Sequence, residues 1–259
     1  MVLAATATPQ PDLRLAVVLV LLVAVAMTAS YAGKLGVERD QFTAASRAVV
    51  QLSVVSLVIA AALRSPWWSL AFVGLMFVVA SVTAQGRIGV PRRSLPWVML
   101  ALAAGAVPVL ALVLGSGVVP FNGQGVLPIA GIVIGGMMTA ASLSGRRAFD
   151  EIAGRFESYE AALALGLESP AAAYEVVQPT AREALVPGLD QTRTVGLVTL
   201  PGAFIGVLLG GGTALEAGAA QVLVLLGLMA GQALTAAVLL RLVARARLVR
   251  ADLAGRYPR

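Results

Sequence analysis

Residues 13–32 read LRLAVVLVLLVAVAMTASYA, twenty positions with one charge, Arg14, among apolar, small and hydroxyl side chains. A helix rises about 1.5 Å per residue, so about 20 such residues reach across the roughly 30 Å hydrocarbon core of a bilayer. The run exceeds the roughly 7 to 15 residue apolar centre of a secretory leader, and only Arg14 precedes its middle, so it is expected to be retained as a first span. Working outward, six more apolar runs bounded by charge or by Pro and Gly appear at 43–63, 67–84, 96–114, 126–144, 195–210 and 219–240.

Composition agrees with that pattern. The 259 residues are 59% hydrophobic and 12% charged, against about 45–50% and about 25% in soluble domains, and mean hydropathy is +0.89. The expected fold is an all-α polytopic membrane protein of about seven transmembrane helices in a single domain, 1–259. There is no Cys and no His. That excludes disulfides, thiolate nucleophiles, Cys/His zinc sites, haem or iron–sulfur ligation and an imidazole base.

The net charge of +6 is a topology signal first, because basic residues collect in cytoplasmic loops. Seven spans with the N-terminus outside leave only Arg14 and Arg64, of 19 Lys and Arg, on the outer side. The C-terminus is then cytoplasmic, and nucleic acid is not an expected partner. The basic tail, 241–259, is expected on the inner face, against anionic lipid of the bilayer.

One connection differs from the rest. Residues 145–194 hold eight of the 13 acids. Phe149, Ile152, Phe156, Tyr159 and Leu163 recur at helical spacing, which predicts an amphipathic cytoplasmic helix. Gly166 permits a turn, Ser169-Pro170 reads as an N-cap followed by Pro at the first helical position, and Thr180 to Glu183 fits a capping box. Two further short helices are expected, ended by Pro179 and Pro187.

No acid lies in the middle of a span, so a carboxylate relay of the kind proton-coupled carriers use is not expected. No GxxxxGK[ST] run is present to cradle a nucleotide, and no span carries a Ser or Asp with an evident base. The spans hold small, kinking or weakly polar residues instead. Pro128, Gly131 and Gly135 lie in the fifth, the glycines in the GxxxG spacing that permits close helix approach. Thr199, Pro201 and Gly202 interrupt the sixth, and such breaks often line transport pathways. Arg47 and Gln51, one turn apart on the second span, and Gln221 on the seventh complete the candidate pathway and hinge residues. Met137 and Met138 offer thioethers, for which core packing is the commoner use.

Glu160-Ala161-Ala162, then three residues, Gly166, nine residues and a stretch from Val176 to Pro179 resemble the EAA loop of ABC transporter permeases, with Gln178 where an aliphatic residue is usual. In that family the loop forms a coupling helix docked in a groove of a separate ATPase subunit. A wider resemblance covers most of the chain. Arg47 to Leu52, Ala84 to Arg87, Leu127 to Gly131, the EAA-like loop, Thr194 to Gly202 and Gln221 are similar to the FetB family of iron-export permeases, which is related to plant aluminium-tolerance permeases. The chain departs from that family at Gly136, where Asn is usual, and at Ala203-Phe204, where a Met pair is frequent.

The resemblance implies a metal-exporting permease of the bacterial inner membrane, paired as a homodimer with a separate ABC ATPase subunit. It assigns ATPase coupling to Glu160, Ala161, Ala162, Gly166, Val176 and Pro179. It also implies no enzymatic activity and no cofactor or resident metal on this chain, ATP and Mg belonging to the ATPase. Two alternatives stand beside it: a permease for an organic or nucleotide-sugar solute, and a membrane scaffold that recruits a partner without transport.

Overall fold

The computed structural model describes residues 12–63 and 65–257, without the side chains of 60–62. Arg64 and Arg259, both used in the charge argument, lie outside the described residues. Helix α1 (Leu13–Ala32) starts where the apolar run starts, since the Asp12 carboxylate accepts the Leu15 amide at 2.9 Å and satisfies one of the first-turn donors. Helix α2 (Glu38–Ala62) opens with Glu38 and Asp40, two acids at the positive end of the helix dipole. The two pack on each other as a compact N-terminal unit. Its large apolar side chains, Val20, Leu22, Val25, Val50 and Leu57 among them, point outward, as lipid-facing residues do.

The second unit contains α3 (Pro66–Ile88), α4 (Leu95–Gly115), α5 (Gly123–Gly154), α6 (Phe156–Ala164), α7 (Ser169–Val177), α8 (Thr180–Thr194), α9 (Gly202–Leu209) and α10 (Ala214–Ala244). Helix α10 is its axis and packs against α4, α5, α7, α8 and α9. It begins with a capping box in which Thr213 Oγ1 accepts the Glu216 amide and Glu216 Oε2 accepts the Thr213 amide. At the crossing of α4, α5 and α10 the backbones come close. A Cβ on Gly105 would lie 2.3 Å from the Gly231 carbonyl oxygen and 2.6 Å from Met137 Sδ. There the Thr235 hydroxyl donates to Met137 Sδ at 3.1 Å, so Met137 is a packing residue, fully buried.

Among the described residues six helices, α1 to α5 and α10, are long and apolar enough to cross a membrane. The chain is therefore an all-α, multi-pass membrane protein. The run 195–210, expected as a full span, is built differently. Gly196 takes φ +82° and its amide donates to the Thr199 carbonyl at 2.9 Å, which folds 195–201 into a tight non-helical connection. Pro201 then precedes α9, whose eight residues cover only about 12 Å. The Gly and Pro that break the run leave too few consecutive helical residues to span the core.

Four local expectations also change. Helix α5 runs 32 residues, about 48 Å, so Phe149 and Ile152 belong to its C-terminal extension, while Phe156 and Tyr159 belong to α6 beyond a break at Arg155. Pro187 lies inside α8 rather than ending it. The Thr180 hydroxyl donates back to the Val177 carbonyl at 2.7 Å, so the box predicted at 180–183 does not form. Ser169 is likewise the first residue of α7, and its hydroxyl is hydrogen-bonded to the Tyr159 hydroxyl, 2.8 Å, instead of capping.

Candidate functional site

Helices α6 and α7 form a hairpin that carries Glu160, Ala161, Ala162, Gly166 and Val176, five of the residues expected to couple to an ATPase. The turn is a Schellman closure: the Gly166 amide donates to Leu163 and the Leu167 amide to Ala162, at 2.9 and 3.1 Å. Gly166 takes φ +89° with nothing within 4 Å of a would-be Cβ, so backbone conformation alone, not space, calls for glycine. Ala161 faces outward, Glu160 and Ala162 are half-buried, and Ala162 touches the core. On α7, Ala172, Ala173, Val176 and Val177 are buried, and Pro179 stands exposed at the start of α8. The part-buried Tyr159–Ser169 hydrogen bond ties α6 to the start of α7.

The basic tail, which was expected on anionic lipid, is folded against this hairpin and the neighbouring ends of α4 and α5. Leu248, Leu253 and Tyr257 are buried. Tyr257 meets the Tyr159 ring edge-on at 5.4 Å, and its hydroxyl donates to the Val243 and Ala244 carbonyls in the last turn of α10, at 2.5 and 3.0 Å. Arg256 lies 4.5 Å over Phe156 and Arg247 5.1 Å over Trp97. Arg250 grips Asp252 with two nitrogens, at 2.8 and 2.9 Å, and reaches Asp150 on α5 at 2.6 Å. The guanidinium's hydrogen bonds hold the Asp252 carboxyl below its ordinary range and raise the Arg250 pKa. The charge pattern of the tail did not reveal this strap, because its partners lie about a hundred residues away; the aromatic Tyr257 in an otherwise basic stretch was the available signal.

Burial, with Tyr159 beside it, pushes the Tyr257 phenol upward. A phenol raised in the folded state is favoured neutral, so its contribution to stability is complete below about 10, the ordinary tyrosine value, and is lost as pH rises through the folded value. Limited proteolysis of the tail should therefore quicken only on alkaline titration. Tyr257→Phe, which strips one donor from two buried carbonyls, should release the tail more readily at every pH, by about 1 kcal/mol. An unchanged cleavage rate in that variant would show that the strap is held by the ring contacts alone.

Within the second unit the candidate pathway residues are not one cluster. Thr199, Pro201 and Gly202 flank the break before α9, and Gln221 reaches it from α10. That side chain is 4% exposed and accepts the Phe204 amide at 3.3 Å, capping a helix that has no capping residue of its own. The Phe204 contact was not visible in the sequence, since the backbone break had first to be seen as a loop. Pro128 lies exposed in α5, Gly131 faces the Met76 methyl and Gly135 borders open space, so the close helix approach expected of that glycine pair is made by Gly105 and Gly231 instead. Arg47 and Gln51 lie on the exposed surface of the N-terminal unit, in a shallow recess with Ser46 and Val50. Gly136 abuts Leu228, where an added Cβ would come within 2.3 Å of a methyl group.

Residues 13–248 match the model of a family described as Uncharacterised protein family (UPF0014). "Protein ALUMINUM SENSITIVE 3" of Arabidopsis thaliana is 34% identical over 84% of this chain and 79% of its own length. "UPF0014 membrane protein STAR2" of Oryza sativa subsp. japonica is 32% identical over 80% and 73%. "Probable iron export permease protein FetB" of Escherichia coli is 30% identical over 74% of each chain. No solved structure matches.

Proposed function

This chain belongs to the UPF0014 family of membrane proteins, and from that premise we propose that it is the permease subunit of an ATP-driven transporter that carries iron out of the cytoplasm. The observation that carries the reading is the α6–Gly166–α7 hairpin. It is a short, rigid helix pair with an exposed turn, joined at one end to the longest helix of the chain, α5. A helix-in-groove contact of that kind lets an ATPase subunit push on membrane helices. The name of the Escherichia coli relative supports iron as cargo.

In this reading the end of α8, the connection 195–201 and α9 make a seventh, broken crossing, so that the N-terminus is outside and the tail cytoplasmic in a bacterial inner membrane. Two copies of the chain work with two copies of a separate ATPase, which binds ATP and Mg. Closure of the ATPase pair moves the hairpin, and α5 transmits the motion. In the connection 195–201, where the Thr199 and Pro201 carbonyls accept the Gly196 and Ile205 amides, the other carbonyls and the Thr199 hydroxyl offer oxygen ligands. Among the described residues no three of His, Cys, Asp and Glu come together, and carbonyl and hydroxyl oxygens suit brief, weak ligation or a chelated ion.

A cleft lined by Leu70, Val73, Val107, Leu110 and Phe121 between α3, α4 and α5 favours a second reading, an amphiphilic organic cargo. Reconstitution with a partner P-loop ATPase in proteoliposomes separates the two. Stimulation of ATP hydrolysis by Fe(II) or Mn(II) is the expected result. Stimulation by a nucleotide sugar or another organic solute, with none by either metal, would overturn iron export. Recruitment of the ATPase with no response to any solute would leave a scaffold.

A further inference from the structure

With Arg247, Arg250 and Arg256 committed to aromatic rings and acids, two arginines of the tail remain among the described residues. Arg241 and Arg245 sit one turn apart at the end of α10 and, with Ala244, face Pro170, Ala171 and Tyr174 of α7 across a cavity of about 300 Å³. Among the described residues neither guanidinium is ion-paired with an acid of this chain; the paired arginines are Arg147, Arg155, Arg193 and Arg250. Both arginines are exposed, and like charges at this spacing on a helix repel, so the pocket favours an anion from outside the chain. Its polar equipment is two fork-shaped donors and one phenol, which suits a phosphate group. Its walls, Pro170, Ala171 and Ala244, are apolar.

We propose that this pocket between α7 and α10 binds the phosphate of an anionic phospholipid. A lipid fits better than a soluble phosphate because the helix that carries the two arginines runs on into the bilayer. Arg241 and Arg245 come directly after the apolar run of α10, a helix long and apolar enough to cross a membrane, and on that crossing they lie at headgroup depth. Toward the bilayer the same face of α10 continues with Val238, Leu234 and Ala230; Val238 is half-buried, and Leu234 and Ala230 are exposed. A headgroup held by the arginines would lay an acyl chain along that stripe. Basic pockets of this kind at the cytoplasmic ends of membrane helices are suited to phospholipid headgroups. Only the choice of the inner leaflet rests on the orientation proposed above. Because α7 is one wall, the bound lipid braces the hairpin against α10.

The test measures lipid bound to the purified full chain in neutral detergent by native mass spectrometry, with short-chain phosphatidylglycerol, phosphatidylcholine and inorganic phosphate as probes. Two arginines near an anionic headgroup correspond to a preference of about 25-fold for phosphatidylglycerol over phosphatidylcholine. The R241Q/R245Q double variant should bring the two lipids to near parity, and Arg245→Gln alone should cost about fivefold, which serves if the double variant does not fold. No preference in the unaltered chain, or a preference that survives in the variants, overturns the proposal. Competition by inorganic phosphate as strong as that by phosphatidylglycerol overturns it in favour of a soluble ligand. Loss of iron-stimulated hydrolysis by itself bears on the transport reading and not on this one.

Discussion

Gly166→Val is expected to abolish ATPase-coupled transport while the chain still inserts and folds. Gly166 has φ +89° and open space around its Cβ position, so valine meets no steric wall; it meets a backbone conformation that costs an L residue about 1–2 kcal/mol, and β-branching makes it worse. The chain relieves that strain by opening the turn, which breaks the Gly166–Leu163 and Leu167–Ala162 hydrogen bonds and changes the angle between α6 and α7. Spans are untouched, since their apolar runs decide insertion. Gly166→Asn is the discriminating companion, because Asn tolerates the left-handed region and should retain most of the coupling. Hydrolysis by the reconstituted complex, with and without Fe(II), reads both. Coupled transport at the native rate in the valine variant would sink the role given to the hairpin.

The spans were legible in the sequence because a bilayer imposes a length. Runs near 20 apolar residues predicted α1 to its terminal residues and located α2 to α5 and α10. Ends were less legible: α5 continues past its apolar part because Phe149 and Ile152 bury themselves against the rest of the unit rather than in lipid. The break at 195–201 was readable as Gly and Pro, but whether such residues kink a span or replace part of it depends on partners such as Gln221, which hydropathy does not encode. The capping box expected at 180–183 does not form, because Thr180 bonds backward to Val177; the box that exists, at Thr213 and Glu216, was not anticipated from the sequence. The tail was least legible. A run of arginines signals lipid or acid equally, and only the fold supplies the Phe156, Trp97 and Tyr159 rings that claim three of its side chains. Candidate site residues were therefore readable where chemistry is local, as at Gly166, and not where it depends on distant segments.

The largest loss of stability should come from Gly105→Val. Without a hydrophobic driving force between helices in lipid, close backbone approach is a main source of their association, and this chain concentrates it at one crossing. A Cβ on Gly105 would lie 2.2 Å from the Thr235 hydroxyl and 2.3 Å from the Gly231 carbonyl oxygen. The second contact is backbone, so no rotamer change relieves it, and α4 must move away from α10. Separation also strips packing from Met137, whose sulfur and methyl lie 2.8 Å from the Cβ position of Gly231. Overpacking typically costs about 1–3 kcal/mol; with two helices displaced the upper end applies, a fall in the unfolding midpoint of roughly 10 °C in detergent. Gly135→Ala supplies the contrast. Its Cβ would meet nothing within 4 Å, and the better helix propensity of alanine, about 0.8–1 kcal/mol, should leave the midpoint equal or higher. If that stable variant transports slowly, Gly135 acts as a hinge in α5 and not as a packing residue; if Gly105→Val unfolds at the native temperature, the α4–α10 crossing does not hold the bundle together.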